Sequence, residues 1–188
     1  MLSKYQRTDV QAPVRYTRTA ISLHWLMFLL MAAGFSIGAY MADLHVSPLK
    51  ARLFSYHKWI GITVLGFAVI RVLWRATHRP PPDNPMPRWQ RIAAHCAHWL
   101  LYALMIATPL VGWLYSSAAG FSIVYLKLWT LPDLVQKNEA LAKVLVQVHG
   151  FLAWTLLWVV VLHALAALKH HFFDRDTTLK RMLSWQRP

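Results

Sequence analysis

The sequence predicts an all-α integral membrane protein, a four-helix bundle with both termini in the cytoplasm. The 188 residues are 57% hydrophobic, and their mean hydropathy is +0.35. The charged residues crowd between long apolar runs instead of being spread among them, which is not the pattern of a soluble globular domain. Four of these runs are long enough to cross a bilayer at about 1.5 Å per residue.

The four predicted spans cover residues 19–40, 57–74, 92–115 and 147–169. The first apolar run is too long for a signal peptide and lacks a clear cleavage pattern, so we expect it to be retained. In the third connection, the stretch DLVQKNEALAKVLVQ has helical spacing and is expected to lead into the fourth span. With no internal repeat and one cysteine, Cys96, residues 1–188 are expected to form a single domain without a disulfide or a thiolate metal cluster.

Lys and Arg are distributed unevenly between the two sides of the predicted bundle. Fourteen lie in the N-terminal arm, the second connection and the C-terminal tail: Lys4, Arg7, Arg15, Arg18, Arg71, Arg75, Arg79, Arg88, Arg91, Lys169, Arg175, Lys180, Arg181 and Arg187. The positive-inside rule therefore places both termini and the loop RPPPDNPMPR in the cytoplasm. The net charge of +13 is mainly this topology signal plus attraction to anionic lipid. Nucleic acid is not an expected partner, because no basic stripe is interleaved with exposed aromatic residues.

Four histidines lie at membrane depth: His24, His57, His149 and His163. A ring at that depth loses its hydration, so it usually faces the bundle interior and has a partner. His149 and His163 are fourteen residues apart on the fourth span. That spacing returns them to within about 40° of the same helix face and separates them by about 21 Å. Both rings are therefore expected to face one seam of the bundle, one near each membrane surface.

Depth matching pairs these four histidines. His24 and His163 each lie about 9 Å inside the cytoplasmic boundary, whereas His57 and His149 both lie near the periplasmic boundary. Two histidines that face each other across a bundle core are the arrangement that ligates one haem iron from both sides. A single intramembrane histidine is more often a satisfied interior residue, but two depth-matched pairs favour haem. Zinc or copper is the competing interpretation, and two protein ligands per site fall short of the four that zinc prefers.

Other polar residues near the cytoplasmic ends of the spans are weaker candidates. His95 and His98 share a helix face and could touch a haem propionate or a small membrane ligand, although lipid-facing rings would look the same. Arg71 and Arg75 could pair with propionates, or they could be snorkelling topology markers. Among the glycines, Gly61, Gly66, Gly112 and Gly150 would let a flat cofactor approach the backbone, but small residues also serve plain helix packing.

Four segments carry the histidines: SLHWLMFLLM, FSYHKWIGITVLGFAVIRVLWR, AAHCAHWLLYALMIATPLVGW and QVHGFLAWTLLWVVVLHALAALKHHFFDRDTTLKRM. Together they resemble the bacterial cytochrome b561 family of four-helix, di-haem membrane cytochromes. The similarity runs from about residue 15 to residue 182. The ending HALAALKHHF, followed by the TLKRM segment, is its most specific part.

The resemblance implies two b-type haems, one held by His24 and His163 and the other by His57 and His149, the same pairs that depth matching suggests. It also implies electron exchange with membrane ubiquinone and oxidation of superoxide at the periplasmic face. An iron with two axial histidines has no open position, so it suits outer-sphere electron transfer. The predicted function is an oxidoreductase of the bacterial inner membrane that passes electrons from a periplasmic one-electron reactant, superoxide, to ubiquinone.

A quinone site is expected beside the cytoplasmic haem, because quinone reduction needs a proton donor near the interface and histidine titrates in the useful range. The candidate quinone or propionate contacts are Arg71, His98, Lys169, His170 and His171. For Lys169, His170 and His171 the competing interpretation is ordinary contact with lipid headgroups.

Charge on the two outward connections favours a small anionic reactant. Six cations lie there, Lys50, Arg52, Lys58, Lys127, Lys137 and Lys143, against the three acids Asp43, Asp133 and Glu139. Solvated loop charges would give the same balance. Two other functions stay open: a haem-bearing membrane anchor or electron conduit for a periplasmic or larger redox partner, and a metal or proton transporter that uses the histidines as a relay.

Overall fold

A computed structural model of the protein describes residues 15–183 and contains four long helices. They are α1 (Arg18–Ala42), α2 (Pro48–Thr77), α3 (Arg88–Ala118) and α4 (Glu139–Phe172). A hairpin of β1 (Val124–Tyr125) and β2 (Trp129–Thr130) lies between α3 and α4, and the short α5 (Lys180–Leu183) follows α4. Each of the four long helices is long and apolar enough to span a membrane, which confirms the predicted helical membrane fold. Lys4, Arg7 and Arg187 of the topology count lie outside the described residues.

Side-chain caps fix where three of the helices begin. The Thr17 hydroxyl accepts a hydrogen bond from the Ala20 amide at the start of α1. Ser47 does the same for Lys50 at the start of α2, and Asn138 for Leu141 at the start of α4. Such caps satisfy amide groups that have no partner inside the helix.

Two helices begin well before the predicted spans. The second span was placed from residue 57, but Ser47 followed by Pro48 starts α2 nine residues earlier. Similarly, α4 begins at Glu139 rather than 147, so EALAKVLVQ is helical and leads into the fourth span, whereas residues 133–138 are not helical. Hydropathy locates the membrane-embedded part of a helix, and the caps locate its actual start.

The helices pack in chain order, and a gap separates the first from the last. Backbone packing is close between α1 and α2, α2 and α3, and α3 and α4, and within the described chain it is sparse between α1 and α4. The core contains Met27, Ala68, Leu101, Tyr102 and Met105. We call the end where α1 begins and α4 ends the terminal end, and the opposite end the hairpin end.

Helix α4 presents its apolar side chains outward. Of its 34 residues, all of them described, Ala142 alone is fully buried. Large side chains such as Phe151, Trp158 and Leu162 are exposed, and the most apolar window of α4 has a mean hydropathy of 2.2. Exposing so much apolar surface to water is unfavourable, so α4 is suited to contact lipid and an apolar group in the gap beside α1.

The hairpin was not predicted, because strands of two residues leave no periodic signal. Its turn is closed by a hydrogen bond from the Leu128 amide to the Tyr125 carbonyl at 2.9 Å. Leu126 and Lys127 have φ angles of 50° and 62°, as both central residues of this tight turn type require. The Trp59 indole donates to the Val124 carbonyl at 2.7 Å, which fixes the hairpin to α2.

The segment after α4 folds back onto the connection between α2 and α3. The Asn84 side chain donates to the Thr178 hydroxyl and accepts from the Thr177 hydroxyl. Arg181 donates to the Pro82 carbonyl at 2.7 Å, and the Trp25 indole donates to the Met182 carbonyl at 2.8 Å. We call this set of contacts the C-terminal clasp.

Candidate functional site

The rings of His57 on α2 and His149 on α4 meet at the hairpin end of the bundle. Their centroids are 5.9 Å apart, and their planes cross at 86°. Nδ1 of His57 donates to the Gly34 carbonyl, and Nδ1 of His149 donates to the Thr108 carbonyl, each at 2.9 Å. Because a carbonyl can only accept, the proton of each neutral ring lies on Nδ1. Nε2 of each ring therefore keeps a free lone pair for a metal.

Each of these rings lies against a glycine four residues beyond its carbonyl acceptor. A Cβ on Gly38 would lie 2.9 Å from Cε1 of His57, and a Cβ on Gly112 would lie 3.0 Å from Cε1 of His149. Any other residue at position 38 would collide with the His57 ring, and any other residue at position 112 would press against the His149 ring. The helices α1 and α3 thus present the same device, a carbonyl at one position and a glycine one turn later, to a histidine of the next helix.

A cavity of about 270 Å³ opens beside this pair. It lies between α1 and α4, with α2 and α3 behind it, and its wall is almost entirely apolar; Met31, Phe35, Val64, Met105 and Leu156 are among the lining residues. The Thr108 hydroxyl at its wall is buried without a hydrogen-bond partner. An apolar cavity beside two adjacent imidazoles with free Nε2 lone pairs suits a flat, largely apolar cofactor that carries a metal.

At the terminal end, three histidines come together where two were predicted. The His24 ring lies 6.2 Å from the His163 ring, and the His98 ring of α3 lies 5.4 Å from it. The depth-matched pair is thus adjacent, but His98 lies closer to His163 than His24 does. His95, which was considered together with His98, faces away and lies 3.2 Å from the Asp83 carboxylate.

A smaller cavity of about 60 Å³ lies beside this trio. Arg71, Arg75, His98 and Tyr102 line it together with Tyr16. Nη2 of Arg71 donates to Nδ1 of His24 at 3.1 Å. Burial raises the pKa of Tyr16 above its ordinary value of 10.0, although the charge of Arg75 opposes the shift. The cavity therefore offers cationic groups and a protonated phenol, which suit a carboxylate or a polar carbonyl headgroup.

The remaining predicted contacts lie in a separate place. Lys169 pairs with Asp174 at 2.6 Å. Nδ1 of His170 lies 2.9 Å from Asp174 and 3.2 Å from Asp176, in directions outside hydrogen-bond geometry, so these contacts are electrostatic. The His171 ring packs edge-on against Phe172, 4.9 Å away. The predicted set of quinone or propionate contacts is therefore split between the small cavity and this acidic pocket after α4.

The hairpin-end pair fits the axial ligation of a haem. Two imidazole nitrogens about 2 Å from a metal on opposite sides are about 4 Å apart, and their ring centroids lie about 1 Å further back on each side, near 6 Å in total. The observed centroid separations of 5.9 and 6.2 Å agree with that geometry. Zinc or copper fits less well, since within residues 15–183 no group of three or more His, Cys, Asp or Glu side chains could hold a metal ion.

Comparison with known proteins decides the family. Residues 15–185 match the family described as prokaryotic cytochrome b561. The chain belongs to this family. It is 36% identical over 181 residues to cytochrome b561 homolog 2 of Escherichia coli K12, covering 91% of this chain and 92% of that protein. It is 33% identical to the protein named probable superoxide oxidase CybB of Yersinia pestis, covering 92% and 98%. It is 30% identical to cytochrome b561 homolog 1 of Escherichia coli K12, covering 90% and 97%.

As a prokaryotic cytochrome b561, the chain is a multi-pass protein of the bacterial inner membrane and a redox protein that transfers electrons through haem b. The residues of the site that the sequence did not reveal are those set by contacts between helices. Gly38 and the carbonyls of Gly34 and Thr108 position rings on neighbouring helices, and Tyr16 joins the small cavity. Gly38 could not be found from the sequence, because nothing in the α1 segment shows that the His57 ring of α2 packs against it.

Proposed function

We propose that this cytochrome carries electrons across the inner membrane through two b-type haems. His57 and His149 would be the axial ligands of one, and His24 and His163 of the other. The observation that carries this proposal is the pair of free Nε2 atoms at the hairpin end. Their rings are held by hydrogen bonds to carbonyls and by packing against Gly38 and Gly112. Bound haem supplies one-electron chemistry with both axial positions filled.

The terminal end would face the cytoplasm. The eleven Lys and Arg of that side that fall within the described residues are Arg15, Arg18, Arg71, Arg75, Arg79, Arg88, Arg91, Lys169, Arg175, Lys180 and Arg181. The hairpin end carries six, so the positive-inside rule favours a periplasmic hairpin and a single domain with four spans.

The electron donor at the hairpin end would be superoxide, a small anion, and the acceptor at the terminal end would be ubiquinone. Each superoxide loses one electron and becomes O₂. A quinone takes two electrons and two protons and becomes a quinol, so two superoxide ions are consumed per quinone. The Yersinia pestis relative is named a probable superoxide oxidase, which supports this donor, and the surplus of cations over acids on the hairpin side is consistent with it.

For the quinone headgroup, the cavity of about 60 Å³ is the better of the two terminal-end locations. It combines cations with Tyr16 and His98, which can donate hydrogen bonds to a quinone oxygen. The pocket formed by Lys169, His170 and two carboxylates is already internally paired. Lys169, His170 and His171 stay candidates for a second quinone contact or for lipid headgroups.

The test is a visible spectrum with haem counted per chain, followed by stopped-flow reduction of the purified protein by superoxide with ubiquinone as acceptor. We expect two haems per chain, reduction without any partner protein, and quinol formation at one quinone per two superoxide ions. Protein that binds haem but is not reduced by superoxide would exclude this donor.

A second candidate function is that of a haem-bearing anchor or electron conduit for a periplasmic redox protein. The observation that favours it is the group of exposed apolar side chains around the hairpin, Phe121, Leu128 and Trp129, each about two-thirds exposed. The same stopped-flow experiment separates the two functions, because an anchor is reduced only when its partner is added.

A further inference from the structure

The two histidine groups differ in what surrounds their rings. At the hairpin end, both His57 and His149 donate Nδ1 protons to backbone carbonyls. At the terminal end, the nearest polar partner of His24 is a guanidinium, since Nη2 of Arg71 lies 3.1 Å from its Nδ1. Among the described residues, no carbonyl oxygen accepts a hydrogen bond from the ring of His24 or His163.

The two cavities also differ in the charged residues that line them. The cavity at the terminal end is lined by Arg71 and Arg75, and no Asp or Glu lies among its described lining residues. The larger cavity at the hairpin end has neither cations nor carboxylates among its described lining residues. Lys58 follows His57 in the sequence, but its ammonium is directed to the Ser116 hydroxyl at 3.2 Å and to the Phe121 carbonyl at 3.3 Å.

These differences act on reduction potential in a known direction. Both pairs supply the same axial ligands, so ligand identity does not distinguish them, and the surroundings must. An imidazole that donates Nδ1–H to a carbonyl is a more basic ligand, which stabilises the oxidised iron and lowers the potential. A cation beside the ring stabilises the reduced state, which carries one more electron, and raises the potential.

We propose that the terminal-end haem has the higher reduction potential and that Arg71 is the positioning residue that sets it. Electrons then run downhill from the hairpin end to the terminal end. In this step one electron leaves the hairpin-end site, which is oxidised, and arrives at the terminal-end site, which is reduced; no bond forms or breaks. The inference rests on the proposed function, because it requires a haem at each histidine group.

Contacts with Tyr102 would keep the Arg71 guanidinium beside the histidines even if its hydrogen bond to His24 were lost. A guanidinium cannot donate to a ring nitrogen that carries a proton, so a His24 ring bound to iron through Nε2 would release this hydrogen bond. Nε of Arg71 also lies 3.4 Å from the Tyr102 hydroxyl, and its Cζ lies 6.0 Å from the centroid of that ring. Both contacts hold the guanidinium beside the histidines.

The experiment is a spectroelectrochemical titration of purified, haem-loaded protein. Single-site variants assign the potentials: His149→Ala retains the terminal-end haem alone, and His163→Ala retains the hairpin-end haem alone. We expect an electron in the half-reduced parent to prefer the terminal end by at least tenfold, which is about 59 mV for a one-electron couple. Arg71→Met should lower the terminal-end potential and leave the hairpin-end potential unchanged.

Two further variants keep the test decisive. Arg71→Lys retains the charge and should retain most of the potential, whereas Arg71→Gln retains a hydrogen-bond donor without charge and should behave like Arg71→Met. Arg91→Met removes an exposed cation from the same end of the bundle and should shift neither potential. If Arg71→Met lowers haem content, the comparison of Arg71→Lys with Arg71→Gln still shows whether the charge sets the terminal-end potential.

The outcomes separate this inference from the proposed function. Equal potentials, a reversed order, or an Arg71→Met shift no larger than that of Arg91→Met would overturn the inference while two haems per chain upheld the function. A parent protein with fewer than two haems would overturn both the di-haem function and the inference.

Discussion

His57 and His149 face each other with their ring centroids 5.9 Å apart, and each ring is tied to a carbonyl of a different helix. The two tethers come from α1 and α3, while the rings come from α2 and α4. All four helices therefore take part in fixing one pair of nitrogens. As the proposed ligands of an iron, two rings held in this way would need little rearrangement to accept it, because their conformational entropy is largely lost during folding rather than during cofactor binding.

We predict that Gly38→Ala and Gly112→Ala each cost the protein its hairpin-end haem. The Cβ added at Gly38 would lie 2.9 Å from an imidazole carbon, closer than such atoms approach each other, and the one added at Gly112 would lie 3.0 Å from one, tighter than nearly all such contacts. Displacing the ring would strain the packing by about 1–3 kcal/mol and break the hydrogen bond to the carbonyl. Haem content per chain and the Soret spectrum of the purified variants measure the loss.

Matched controls for this prediction are Gly66→Ala and Gly150→Ala. The sequence made both glycines candidates for a cofactor's approach to the backbone, but neither lines the apolar cavity, and a Cβ at either position meets nothing within 4 Å. Alanine is favoured over glycine inside a helix by roughly 0.5–1 kcal/mol. Both variants should keep full haem content and unfold at or slightly above the parental temperature. If they lost haem as readily as Gly38→Ala, the packing of the rings on Gly38 and Gly112 would not explain the loss.

At the terminal end, we predict that His24→Ala and His163→Ala lose the same haem and that His98→Ala keeps both. His24 lies 6.2 Å from His163, the spacing of two rings on opposite sides of an iron, whereas His98 at 5.4 Å also lines the small cavity. Haem counting, with spectra that distinguish the two sites, makes the comparison. A His98 variant that loses a haem while the His24 variant keeps it would assign the ligand to α3.

The rate of reduction by superoxide is predicted to fall as salt rises. A cationic surface can raise the on-rate of an anion by about 10–1,000-fold, and the Debye length shrinks from about 10 Å at 0.1 M to about 3 Å at 1 M. Lys58→Gln should slow the reaction more than Lys127→Gln, because the half-buried charge of Lys58 is screened less by salt than that of Lys127, which is exposed at the hairpin tip. Stopped-flow traces across this salt range, with Lys180→Gln at the terminal end as the unchanged control, provide the measurement. A rate that ignores both salt and substitution is incompatible with steering.

The C-terminal clasp is predicted to weaken in acid through Asp176. Burial by itself raises the pKa of this carboxyl, but hydrogen bonds from Thr178 and the nearby charge of His170, together with Asn84, outweigh it and hold the pKa below its ordinary value of 3.8. A depressed pKa contributes stability that is present above that ordinary value and is lost as the pH falls through the lowered one. Asp176→Asn should cost about 1–2 kcal/mol at neutral pH and flatten this acid dependence.

Protection of the clasp amides from hydrogen exchange, followed from pH 7 downward in detergent, checks the effect. The matched control is Asp83→Asn, whose carboxylate pairs with the exposed His95 instead. An Asp176 variant with parental protection at neutral pH would show that the carboxylate does not hold the clasp.

Much of this fold could be predicted because a bilayer imposes simple constraints. Span length and depth paired His57 with His149 and His24 with His163, and in the structure the rings of each pair are adjacent. Position around the neighbouring helix could not be predicted in the same way. The contact of His98 with His163 and the packing of a ring on Gly38 depend on how each helix is rotated against the next, which no single segment encodes.

The same limit applies to the connections. Pro82 and Asn84 were visible only as part of a loop, yet residues almost a hundred positions later bind them. The split of the predicted quinone contacts between two places also follows from chain reversal after α4. Helical spacing predicts which residues share a face of one helix, but not which residues a segment contacts after it turns back across the bundle.

The C-terminal clasp also has a consequence for biosynthesis. Its later half is formed by Thr177, Thr178, Arg181 and Met182, which follow all four long helices along the chain. Chains fold from their N-terminus as they are made, so α1 to α3 can reach the membrane before these partners exist. The terminal end of the newborn bundle therefore lacks these contacts until the segment after α4 has been made. Deletion of residues 177–183 would disturb this closing step rather than the insertion of the helices.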